Sequence, residues 1–165
     1  FIVVRDEENR RRLRRAAMNQ AKVVEAPVVI IAVGVKSDLE HRADQVMREG
    51  ARRGVGKFEG VDGAKRGAMK FLSTIPPDVW LNRHTMIAVT TMMLVAESYG
   101  FDTAPMEGFD PEAVKREFGV QAEDDVVALL AVGRAEKPEK EYPGRFPIDQ
   151  IVFNERYGDA WRRGR

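Results

Sequence analysis

A helix that is apolar around nearly its whole circumference must be covered on more than one side, and this chain contains one. Between Met86 and Ala96 only Thr90 and Thr91 interrupt the apolar residues. The cover can come from the chain's own core or from a second subunit. Asn82 suits the N-cap of this helix, because its side-chain oxygen can accept a backbone N–H of the first turn. Gly100 suits the left-handed residue that ends it, with Phe101 folding back on the last turn. The helix is therefore predicted over Asn82–Gly100.

A short loop follows, Asp102-Thr103-Ala104-Pro105-Met106-Glu107-Gly108-Phe109. Pro105 fixes one backbone angle. Gly108 permits backbone geometry, or close approach of a ligand, that a side chain would block. Asp110 is a good N-cap and Pro111 a good first helical residue, so a helix is predicted over Pro111–Phe118, with Gly119 as its stop. The loop is pinned at both ends with a glycine at its tip. Taken alone it reads either as a helix–helix connector or as a loop that aims a backbone N–H at a ligand.

Two apolar runs, VVIIAVGV from Val28 and VVALLAVG from Val126, suit strands buried on both faces. Phe1 to Val4 reads as a further strand, and Ile148 to Phe153 as an extended segment that can form another edge. Asp6 caps a helix running through Arg14. Its arginines follow Glu7 and Glu8 at pairing distance and read as a solvated face. Ser37 or Asp38 can cap an amphipathic helix whose apolar stripe is Leu39, Ala43, Val46 and Met47. Gly54 to Gly67 is glycine-rich and reads as a mobile connection without a phosphate-loop pattern. A short helix AMKFLSTI follows, Pro76-Pro77 ends it, and Asp78 to Leu81 reads as a turn. Helices interleaved with buried strands indicate an α/β layered domain.

Composition narrows the function classes. The chain has 165 residues, enough for one domain, with 44% hydrophobic and 32% charged residues. A formal net charge of +1 argues against a dedicated nucleic-acid binder. Nothing approaches the ~20 apolar residues of a membrane span, and no stretch reads as a signal peptide. Cysteine is absent, which removes disulfides and thiolate chemistry and fits the cytoplasm. His41 and His84 have no second ligand at helical spacing, so no metal site is expected. The start, Phe-Ile-Val-Val, lies inside a strand, and a preceding segment is expected to be missing.

Several segments in order resemble the FMN-dependent nitroreductases: FIVVRDEENRRRL, EAPVVIIAV, MIAVTTMMLVAESYGFDTAPMEGFDPEAVKREFGV, VVALLAVGRAEKP and PGRFPIDQIV. The resemblance implies a three-layer fold with a mixed central sheet wrapped by helices. It implies a single FMN-binding domain over residues 1–165 that lacks its N-terminal segment. It implies an intertwined homodimer through the Asn82–Gly100 helix. Pro105, Met106, Glu107 and Gly108 match the loop on one face of the flavin, where a backbone N–H of Glu107 or Gly108 meets flavin N5. Gly144 and Arg145 match the phosphate-binding tail. A guanidinium fork suits a phosphate, although Pro143 stands where many relatives carry a lysine. The family's other phosphate and flavin-edge motifs would fall before Phe1.

The implied activity is an oxidoreductase using NADH or NADPH. Hydride passes to flavin N5, the nicotinamide leaves, and a nitroaromatic, quinone or similar acceptor takes its place. The flavin carries the chemistry, so no catalytic side chain is required. The region from Gly54 to Trp80 is expected to shape the acceptor pocket. The competing reading is a non-enzymatic flavin-binding or scaffold dimer with an incomplete site.

Overall fold

The computed structural model describes residues 1–55, 60–136 and 144–161. The described residues divide into two units, Phe1–Arg134 and Ala135–Arg165. The first is built on four strands: β1 (Ile2–Val4), β2 (Val28–Gly34), β3 (Asp102–Met106) and β4 (Asp125–Gly133). Their order in the sheet is β1-β2-β4-β3. Every pairing among them is antiparallel, with Ile30 opposite Leu130 and Pro105 opposite Leu130 on the other side. The mixed pairing implied by the resemblance has no example among the described strands.

The two central strands are apolar on both faces because both faces are covered. On one face Val29, Ile31, Leu129 and Ala131 pack with Leu13, Ala16, Val23 and Val114. Those residues come from α1 (Glu7–Ala16), α2 (Lys22–Glu25) and α6 (Pro111–Phe118). On the other face Ala32, Ala128 and Leu130 pack with Val89, Met86, Met92 and Met93 of the long helix α5 (Pro77–Ser98). Helix, sheet and helix thus make three layers. Helix α5 crosses the sheet closely at Gly34, where an added Cβ would lie 3.3 Å from Leu81 Cβ and 3.5 Å from both Thr85 Oγ1 and Val127 Cγ2.

The start of α5 corrects the expectation of a turn over Asp78 to Leu81. The helix begins at Pro77, so Asn82 lies in its second turn and caps nothing. Proline needs no N–H partner at a first helical position, and Pro76-Pro77 both closes the preceding segment and opens this one. At the other end the glycine stop is as predicted. Gly100 has φ 73°, and the Phe101 N–H reaches back 3.0 Å to the Ala96 carbonyl. Leu81, Thr85 and Val89 form the buried stripe of α5. Opposite them Ile87 and Leu94 are exposed, at 62% and 69%, and Val95 is exposed on the flank near the helix end.

Helix α3 (Leu39–Arg52) forms where expected, but the Asp38 side chain makes no capping bond and Val46 is exposed. The glycine-rich region is more ordered than its composition suggests. Helix α4 (Val61–Leu72) includes Gly63 and Gly67 and begins well before AMKFLSTI. Each interior glycine costs about 1 kcal/mol relative to alanine. Packing on α3, with Lys65–Glu40 and Arg48–Asp62 ion pairs between the two, accompanies that cost. Residues 56–59 of the expected connection lie outside the described residues.

In the second unit Ile148–Ile151 is a short helix, α7, rather than an extended edge. Four residues are too few to reveal helical periodicity in sequence. Phe153 bridges Ala160 across a turn. The loop expected over Glu136 to Lys140 falls mostly outside the described residues, as do Pro143's immediate predecessors and Pro143 itself.

Candidate functional site

The segment read from sequence as a helix–helix loop contains a strand. Asp102–Met106 pairs with β4 as the outer strand of the sheet. Proline cannot donate to a ladder and is confined to edges. Pro105 therefore signals a turn by composition and still fits here. The strand delivers Glu107 and Gly108 to a fixed place just beyond the sheet. Strand alternation separates the four predicted residues. Pro105, Glu107 and Gly108 are exposed, whereas the Met106 side chain is 6% exposed and belongs to the core. Met106 can offer a ligand only its backbone.

Phe109, buried at 7% exposure, anchors the tip from the other side. Its N–H donates to the Glu107 carbonyl at 3.1 Å, closing a three-residue turn centred on Gly108. The Asp110 N–H donates to the Ala16 carbonyl at 2.8 Å, fastening the loop to the end of α1. The Asp110 side chain then caps α6 through the Ala113 N–H at 3.1 Å. The Gln20 side-chain amide donates to the Gly108 carbonyl at 2.7 Å. Among the described residues the Glu107 and Gly108 N–H groups donate to nothing. Two adjacent, exposed, unengaged donors on a pinned turn suit an acceptor atom on a flat ligand laid against the backbone.

Gly108 does not have a left-handed φ, so the turn itself does not demand glycine. An added Cβ would meet Gln20 Nε2 at 3.4 Å and Met18 Sδ at 3.7 Å. The close approach that Gly108 makes within the chain is to the Met18–Gln20 turn. Gln20 and the Ala16 carbonyl were invisible to sequence reading, because both act across about ninety positions with no spacing to betray them. The shallow concavity lined by Ile2, Val4, Asp6, Asn9 and Phe118 includes none of these residues. Glu107 and Gly108 lie on an open surface of the chain.

Gly144 and Arg145 belong to the second unit. Gly144 has φ 82°, a conformation that favours glycine, and Arg145 Nη1 donates to the Gly144 carbonyl at 2.9 Å. Among the described residues no three His, Asp or Glu side chains gather in a metal-holding arrangement. No described helix is long and apolar enough to cross a membrane.

The sequence matches the model of the family described as "Nitroreductase family" over residues 1–134. The chain belongs to the nitroreductase family. The match covers the first unit, with the sheet, α5 and the Glu107–Gly108 turn, and stops before Gly144 and Arg145. Among similar nitroreductases and their kin, an "NADH dehydrogenase" of Thermus thermophilus is 32% identical over 93% of this chain and 73% of its own length. The Bacillus subtilis protein MhqN, provisionally named an NAD(P)H nitroreductase, is 29% identical over 92% of this chain and 75% of its own. A protein from Exiguobacterium sibiricum, provisionally named a nitroreductase and solved in complex with FMN, superposes with a TM-score of 0.80. It is 24% identical and spans 92% of this chain and 73% of that one. This chain therefore spans about three quarters of the relatives it matches. It is an oxidoreductase of nitroreductase fold.

Proposed function

We propose that this nitroreductase is an FMN-dependent enzyme that takes electrons from NADH or NADPH and reduces nitroaromatic, quinone or similar acceptors. The observation that carries the reading is the Glu107–Gly108 turn. It presents two unengaged backbone donors on an exposed edge, which fits the N5 acceptor of a flavin ring. FMN, when bound, supplies the hydride-accepting and hydride-donating chemistry. The chain's own part is to bind and orient. The Glu107 or Gly108 N–H donates at N5, with the Pro105 and Met106 backbone beside it. Arg145, next to Gly144, neutralises the phosphate. NAD(P)H and the acceptor use the same exposed face in turn, which gives ping-pong kinetics.

The exposed side of α5, with Ile87 and Leu94, is the surface for a second copy. An apolar face opposite a buried one needs cover, and a homodimer through this helix supplies it. The competing reading is a non-enzymatic flavin-binding or scaffold dimer with an incomplete site; one departure in its favour is Pro143, which stands where many relatives carry a lysine.

Purified protein reconstituted with FMN tests the reading. It should be yellow, bleach with NADH or NADPH under anaerobic conditions, and recolour on adding a quinone. Yellow protein that does not bleach supports the binder, and protein that takes up no FMN removes the proposal.

A further inference from the structure

We infer that Gln20 is the positioning residue of the cofactor turn: its amide holds the Gly108 carbonyl and so sets the direction of the Gly108 N–H. The inference rests on the FMN reading above and adds a residue to it. Glycine rotates more freely than any other residue, and Gly108 has no left-handed constraint to define its turn. Something else must hold it. The Gln20 Nε2–Gly108 O bond of 2.7 Å fixes the peptide plane between Gly108 and Phe109. The Phe109 N–H in that plane donates to the Glu107 carbonyl, which fixes the plane carrying the Gly108 N–H. One side-chain bond therefore orients two peptide planes. Only the amide nitrogen can face a carbonyl oxygen, so the Gln20 orientation follows from the partner.

The way Gln20 reaches the loop supports a dedicated role. After α1 ends, Met18 and Asn19 adopt φ of 51° and 57°. Two consecutive left-handed residues with side chains are disfavoured. Local bonds hold them there: the Asn19 N–H donates to the Arg14 carbonyl at 3.0 Å, and Arg14 Nε donates to the Asn19 carbonyl at 3.1 Å. The strained turn ends with the Gln20 amide on Gly108, while the Ala16 carbonyl holds Asp110 on the far side of the tip.

The test compares Gln20→Met, which keeps length but loses the donor, with Gln20→Lys, which restores an N–H donor. In flavin-free protein, hydrogen exchange at the Phe109 amide, which donates to the Glu107 carbonyl, should be roughly threefold to tenfold faster in Gln20→Met, as expected for loss of one hydrogen bond. Gln20→Lys should return it toward wild type. In FMN-reconstituted protein, Gln20→Met should shift the flavin absorption band and slow flavin reduction by NADH by a similar factor. KM for NADH should be unchanged, and Gln20→Lys should recover the rate. Unchanged exchange in Gln20→Met overturns the inference. Faster exchange with an unaltered flavin band and rate also overturns it, leaving Gln20 as a structural tie. Wild-type protein that takes up no FMN overturns the cofactor reading itself, and the exchange experiment then shows separately whether the tie exists.

Discussion

Gly34→Ala probes how tightly α5 is locked to the sheet. The backbone at Gly34 has no left-handed φ, so alanine suffers no conformational strain. Restricting the unfolded chain would by itself stabilise the protein by about 0.4–1 kcal/mol. Against this, the new methyl would lie 3.3 Å from Leu81 Cβ, inside the ~3.5–4.0 Å optimum for carbon pairs. The obstructing atom is the first of its side chain, so no rotation of Leu81 moves it; helix α5 itself must shift by a few tenths of an ångström. Thr85 Oγ1 and Val127 Cγ2 at 3.5 Å close the other directions. Overpacking of this kind costs about 1–3 kcal/mol. The clash wins, leaving a net loss near ~1 kcal/mol, or roughly 2–4 °C in Tm for a chain of this size. Leu81→Ala keeps the Cβ and should not relieve the clash, so the double variant should be additive. Urea melts of the four proteins check this. A Gly34→Ala protein as stable as wild type or more so, or a double variant in which the penalty vanishes, would refute the reasoning.

Arg145→Ala should weaken FMN retention about tenfold or more, consistent with a charge-assisted hydrogen bond of about 1.5–3 kcal/mol. Flavin content after gel filtration measures it, and wild-type content would remove the phosphate role. Leu94→Glu with Ile87→Glu places two charges on the exposed side of α5 and should yield a monomer by sedimentation with the fold intact; a persistent dimer would mean that another surface joins the copies. Burial pushes the Asp124 carboxyl up, but the backbone N–H groups of Ser37 and Lys36, donating at 2.9 and 2.8 Å, outweigh it and hold it below the usual carboxylate range. The unfolded chain then binds the proton more readily than the folded one. The stabilisation is complete above the unfolded value of about 3.9 and is lost as pH falls through the lower folded value. Asp124→Asn should therefore be less stable than wild type at neutral pH, with the gap narrowing in urea melts near the acid limit; a gap that widens on acidification would contradict this.

Local chemistry was legible wherever the signal was local. Asp6, Asp110 with Pro111, Gly100 and Gly119 mark helix ends through bonds made within a few residues, and all four act as read. The two apolar runs betray strands covered on both sides, because burial leaves no polar face to show. The matched segments were likewise enough to name the family. Tertiary structure decided the rest. Whether Asp102 to Met106 is loop or strand depends on β4 lying alongside, since a proline-bearing edge has no propensity of its own. Whether Gly63 and Gly67 sit in a helix depends on α3, because the propensity of the segment alone argues against it. The orientation of the Gly108 turn depends on Gln20, which is separated from it by 88 positions. Short-range hydrogen bonds and burial leave a trace in neighbouring residue types; contacts closed only by folding leave none.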